Sequence, residues 1–197
     1  PAIDPLQFHG ISTPNSVCCG RTFCEQFLVD HPNSEITIVP TALGGTSFRP
    51  STGYVITWDK TISWADKNLY SEMITDCNEI LQNQPDMEVL GCLFLQGESD
   101  VMNWEYPTKL DKLVRDMRID LLNGKGKNMP FICGTMLASW KALNKATDYI
   151  DNAHKNIQWR FNDGLTACAW FDWITEPPYN DGMKVHYNAT AQRYIGK

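Results

Sequence analysis

Glu88-Val89-Leu90-Gly91-Cys92-Leu93-Phe94-Leu95 is a nearly unbroken apolar run, and Gln96-Gly97-Glu98-Ser99-Asp100 follows it directly. A run of this length is far too short to span a bilayer. Its continuous apolar character suits a strand covered on both faces, as in a parallel sheet, rather than an alternating half-exposed strand. An amide and two acids placed directly after such a strand are poor packing material. They read as a polar site at the strand's C-terminal end, where parallel α/β sheets gather their ligands. The plain alternative is a polar loop with a helix cap at Ser99 or Asp100.

Working outward from this strand, the pattern alternates. Apolar residues at helical spacing predict helices over Trp64 to Gln84 and over Tyr106 to Leu122 on either side of it. Further on, a strand is predicted at Phe131 to Leu137, a helix at Asn144 to Phe161, a short strand at Thr166 to Phe171, and a last helix from Thr190 to Gly196. Upstream, Ser16 to Asp30 reads as a helix and Glu35 to Leu43 as a strand that Gly44-Gly45 stops. Strands alternating with helices predict an α/β fold with a parallel sheet. The 197 residues fit a single domain, 1–197, without an interdomain linker.

Composition narrows the function classes. Apolar residues make up 43% and charged residues 20%, as in an ordinary globular chain. A net charge of -6 and the lack of any basic run argue against nucleic acid or an anionic membrane as a partner. The seven cysteines cannot all pair internally; Cys92, Cys133 and Cys168 lie in apolar runs and read as small buried hydrophobes, which suits folding in a reducing compartment. No Cys or His spacing suggests a metal.

Two more segments carry chemistry. In Gly44-Gly45-Thr46-Ser47 a glycine pair lets backbone N–H groups approach an oxyanion, although a tight turn alone also explains such a pair. In Asp181-Gly182-Met183-Lys184-Val185-His186-Tyr187-Asn188, a His lies five residues after an acid, the base-and-orienter pair of acyl hydrolases. His31 follows a helix and His154 lies on one, so both read as structural. Gln96 can donate its amide to an oxyanion.

Together these segments resemble the SGNH/GDSL hydrolase superfamily, in particular its carbohydrate acetyl esterase and sialate O-acetylesterase branch. Val39 to Ser47 looks like the second conserved block, Phe94 to Asp100 like the third, and Val185 to Asn188 like the last. The resemblance implies a three-layer α/β/α fold with a flavodoxin-like parallel sheet. It implies an oxyanion hole at Gly45 and Gln96, His186 as the base, and Asp181 as its orienter. Gly44, Thr46 and Glu98 shape the site. The substrate class would be an O-acetylated carbohydrate, and acyl transfer through a serine needs neither metal nor organic cofactor.

Two departures from the family stand out. The nucleophile block and its first, central strand match nothing in this sequence, so both are expected from a companion segment or chain. The acid normally three residues before the base is here Met183. A different reading is a glycan-binding module that kept the fold without hydrolysis, with Trp58, Trp64, Trp104 and Trp140 as candidate stacking surfaces. A third, a cysteine hydrolase, lacks a Cys at a strand-to-helix turn beside a base. A secreted enzyme and a phage tail protein both fit this sequence.

Overall fold

The computed structural model describes residues 18–50, 53, 55–171, 173–174 and 186–197. It divides into two compact units, one formed by 1–44, 137–143 and 171–197, the other by 45–136 and 144–170.

The second unit contains the sheet. β3 (Cys92–Phe94), β4 (Phe131–Gly134) and β5 (Thr166–Ala169) are parallel and ordered as in the chain. Cys92 is opposite Phe131, and Phe131 is opposite Thr166. A smaller parallel pair joins β1 (Ile56–Thr57) to β2 (Lys67–Asn68). Crossover helices make the parallel arrangement possible. α2 (Leu69–Asn83) precedes β3, and Asn68 caps it by accepting from Ser71 N at 3.0 Å. α3 (Tyr106–Asp120) connects β3 to β4 and buries Tyr106, Leu110, Leu113, Val114 and Met117 along one stripe. α5 (Thr147–Lys155) and α6 (Ile157–Phe161) lie between β4 and β5. Arg160 on α6 grips the Asp111 carboxylate of α3 with Nε at 2.9 Å from both oxygens.

In the first unit α1 (Cys19–Asp30) packs on α7 (Ala189–Ile195). A Cβ on Gly196 would lie 2.3 Å from Cys19 O, so glycine is what lets the two backbones approach so closely. Leu137, Ile174 and Ala191 form a small core, with Trp140, Phe171, Tyr187 and Ile195 packed around it. α4 (Ala138–Leu143) belongs to this unit.

Several expectations need correction. The segment at 35–43 forms no strand. An extended chain becomes a strand only through a hydrogen-bonded ladder, and among the described residues this one has no partner strand. The helix expected from Trp64 begins at Leu69, because Lys67–Asn68 pairs with β1 instead. The helix expected over 144–161 breaks at Asn156, whose ψ of 2° leaves the helical region. Trp58 is buried, not a stacking surface, whereas Trp64 and Trp104 are exposed.

Candidate functional site

β3 ends at Phe94, and the chain then turns at Gly97, where φ is 129°. A Cβ at Gly97 would stand 2.5 Å from Ile150 Cγ2 and 3.1 Å from Tyr106 Oη. Backbone conformation and crowding therefore both require glycine here. Beyond it Glu98–Asp100 makes one turn of 3-10 helix, closed by Asp100 N on Gly97 O at 3.0 Å.

That turn drives Asp100 into the interior, where it is fully buried. Its carboxylate accepts from Gln96 Nε2 at 2.7 Å, from Asn103 Nδ2 at 2.7 Å, and from Phe48 N at 3.0 Å to the nearer oxygen. A buried charge is tolerable only when several donors replace its lost water, and here they do. Through Phe48 the same carboxylate anchors the loop that follows Gly45.

That loop starts with Gly45 in an exposed, left-handed turn at φ 76°. Thr46 is buried, and its Oγ1 accepts from Trp58 Nε1 at 3.0 Å. Its backbone O accepts from Gln96 Nε2 at 3.2 Å. The half-buried Gln96 amide is thus held on both sides: its nitrogen faces Asp100 and Thr46, and its oxygen lies 3.0 Å from Tyr106 Oη. This is a fixed amide donor at the C-terminal end of a parallel strand, an arrangement able to stabilise negative charge on a nearby oxygen. Half-buried Glu98 lies in the same turn.

Behind Gln96 lie two residues that sequence reasoning passed over. Tyr106 opens α3 and is fully buried; burial, followed by the Asp100 charge, raises its phenol well above the ordinary range. His154 on α5 is also buried. Its Nε2 is 2.7 Å from Tyr106 Oη and its Nδ1 is 3.0 Å from Gly134 O, at the end of β4. Burial lowers its pKa to about 4, against the opposing pull of the Gly134 carbonyl and Asp151. The ring is therefore neutral near pH 7. One signal could have found it: Thr147, Ile150, Asp151 and His154 share one helical face, so polar groups stand where a core stripe was expected.

Of the expected site residues, the second unit brings Gly45, Thr46, Gln96 and Glu98 into one pair of linked loops. Gly44 directly precedes Gly45 and is exposed. His186 is an exposed residue of the first unit, two positions before Asn188, which caps α7 by accepting from Ala191 N at 3.0 Å. Asp181 lies outside the described residues.

Neither Ser47 nor Ser99 is placed as an activated nucleophile. Ser47 Oγ donates to Arg49 O at 2.7 Å, and Ser99 is exposed within the 3-10 turn. All seven cysteines are free. Burial holds Cys77 up at about 11 and Cys92 up at about 12, so these thiols stay protonated and unreactive. Among the described residues no three His, Cys, Asp or Glu side chains cluster as a metal site, and no helix is long and apolar enough to cross a membrane.

Comparison with known proteins adds three findings. The family model described as "SASA: Carbohydrate esterase, sialic acid-specific acetylesterase" matches residues 1–197. A curated relative from Escherichia coli (strain K12), "Probable 9-O-acetyl-N-acetylneuraminic acid deacetylase", is 27% identical over 123 residues. That match covers 55% of this chain and 38% of the relative, so the chain spans well under half of it. A solved structure titled "Crystal structure of NanS" superposes with a TM-score of 0.67 at 20% identity, over 95% of this chain and 71% of the other. The likeness shows the fold, the parallel α/β class expected from the sequence.

Proposed function

From the premise that this chain belongs to the sialic acid-specific acetylesterase family of carbohydrate esterases, we propose that the whole protein hydrolyses O-acetyl esters on sugars, with O-acetylated sialic acids as its substrate class. The family match along all 197 residues carries this reading. The relative named as a 9-O-acetyl-N-acetylneuraminic acid deacetylase supports it.

The reaction is acyl transfer through serine. Serine Oγ bonds to the acetyl carbonyl carbon while its proton passes to His186, and the carbonyl electron pair moves onto oxygen. Collapse of this oxyanion breaks the bond to the sugar oxygen, which takes the proton from His186. Water then attacks the acetyl-serine, yielding acetate and free serine. Asp181 orients His186 and stabilises its charged form. The Gly45 N–H and the Gln96 amide receive the oxyanion. Of the two hydrogen bonds that Gln96 Nε2 donates, that to Thr46 O is longer, 3.2 Å against 2.7 Å, so an oxyanion can take over that hydrogen while Asp100 keeps the amide in place. Gly44, Thr46 and Glu98 shape the surroundings.

The serine comes from a companion segment outside these residues, which also adds a strand beside β3. The state of β3 supports this. Among the described residues it is bonded only to β4, and Leu93 within it remains 38% exposed. An apolar strand with an open edge is poorly covered on its own.

The test uses the full-length protein with a serine-reactive fluorophosphonate, followed by peptide mapping and assay of acetate release from an O-acetylated sialic acid. Label on a serine outside residues 1–197, with loss of activity, is the expected result. Label at Ser47 or Ser99, or undiminished hydrolysis without label, overturns it. In the same assay Gln96→Ala is expected to lower kcat by ~100- to 1000-fold. An unchanged kcat removes Gln96 from the oxyanion hole.

A further inference from the structure

The Gln96 amide is one end of a buried chain of hydrogen bonds that starts at a backbone carbonyl. Gly134 O faces His154 Nδ1 at 3.0 Å, His154 Nε2 faces Tyr106 Oη at 2.7 Å, and Tyr106 Oη faces Gln96 Oε1 at 3.0 Å. Both end atoms are carbonyl oxygens, which can only accept. Three links therefore need three hydrogens. A neutral imidazole brings one and a phenol brings one, so two hydrogens serve three links.

The position of the shortage can be located. At the Gly134 end only an Nδ1–H satisfies the carbonyl, so Nε2 is left as an acceptor. At the other end the amide cannot turn over to offer its own hydrogens to Tyr106. Its oxygen would then stand where the nitrogen is now, 2.7 Å from Asp100 Oδ2 and 3.2 Å from Thr46 O, with no hydrogen between them. The Tyr106 hydrogen is thus contested between His154 Nε2 and Gln96 Oε1, with the Gln96 backbone O a more distant acceptor at 3.3 Å. Tyr106 and His154 are fully buried, so water is a poor substitute for whichever bond is missing.

We infer that Tyr106 and His154 are positioning residues for the Gln96 amide: the Tyr106 hydroxyl, shared with His154, turns its hydrogen to Gln96 Oε1 as negative charge develops on an oxygen bound at Gln96 Nε2. No covalent bond changes; the O–H rotates about Cζ–Oη. A hydrogen bond received at the amide oxygen polarises the group and makes its N–H a stronger donor, and charge at the nitrogen side increases the demand at the oxygen side in return. The proposal rests on the reading of Gln96 as an oxyanion donor.

The test again uses the full-length protein. Tyr106→Phe removes Oη and keeps the buried ring with its edge-on contact to Phe48 at 5.5 Å. The expected result is a kcat about 10-fold lower with KM within about 2-fold of the parent, the size of one neutral hydrogen bond. The double variant Gln96→Ala/Tyr106→Phe is expected to be no slower than Gln96→Ala alone, since Tyr106 acts through the amide. An unchanged kcat in Tyr106→Phe, or a double variant slower by the product of both single effects, overturns the proposal. A second readout needs no activity: the 15N resonance of His154 Nε2. In Gln96→Ala the nearer competitor, Oε1 at 3.0 Å, is gone and only the backbone O of residue 96 at 3.3 Å remains, so Nε2 is expected to move toward a more fully hydrogen-bonded acceptor. A resonance that stays in place overturns the sharing. Should Gln96→Ala leave kcat unchanged, the oxyanion reading fails, and the 15N measurement still decides whether the hydrogen is shared.

Discussion

Gly45 and Gly97 are both glycines at positive φ in the two loops that meet at Gln96, yet different forces require them. At Gly45, φ is 76° and nothing lies within 4 Å of where a Cβ would be. Only the backbone conformation asks for glycine there. At Gly97, φ is 129° and the space is already occupied by Ile150 and Tyr106. The first turn is a local event at the surface. The second is where β3, α3 and α5 close on one another, so its glycine is set by residues far away in the chain. Two turns that look alike in sequence can therefore differ in how much of the fold depends on them.

The strongest way to break this comparison is Gly97→Ala. Overpacking against Ile150 together with unfavourable φ should destabilise by about 4 kcal/mol. Urea unfolding at constant m-value measures it, and a loss under 1 kcal/mol would mean that the interior side yields easily.

The next effect is a pH dependence that belongs to the same interior side. His154 titrates at about 4 in the folded chain against an ordinary value of 6.5. Between these values the unfolded chain binds a proton that the folded chain does not, so stability rises with pH across the window. It should be complete above pH 6.5 and fall by about 3 kcal/mol as pH drops toward 4. At Asp163 burial pushes upward, but bonds from Leu165 N, Arg118 and Thr166 outweigh it and hold the carboxyl below its ordinary 3.8. Its contribution is kept above that value and lost only as pH falls below it. Replacement by His154→Gln should flatten the slope between pH 4 and 6.5, and a slope left intact would assign it elsewhere.

The smallest effect is expected at the open turn. Gly45→Ala should lose about 1 kcal/mol, the cost of the left-handed region for an ordinary residue. A loss as large as that at Gly97 would erase the distinction between the two turns.

The parts of the molecule that were legible in the sequence are those whose cause is local. The apolar run before Gln96 and the helical stripe of Leu110, Leu113, Val114 and Met117 both announce themselves within a few residues. The Gln96 loop was recognisable because polar groups rarely follow a buried strand without a use. Asp100 was legible only as a possible cap, whereas it is the buried anchor of two loops. His154 looked structural, because nothing near it in sequence names Tyr106, 48 residues away, as its partner. The segment at 35–43 has strand composition but, among the described residues, no ladder, since composition supplies a propensity and pairing needs a neighbour.

By itself, then, the sequence determined the α/β class, the order of most elements and the identity of the amide that follows β3, because periodicity and turn chemistry are properties of adjacent residues. Only the tertiary structure decided how that amide is held. The orientation of Gln96 depends on Asp100, Thr46 and Tyr106 meeting around one side chain, and the contested hydrogen behind it exists only because α5 brings His154 to the end of β4. Buried hydrogen bonds are settled by which donors and acceptors arrive together once water has been excluded, and that is decided by packing.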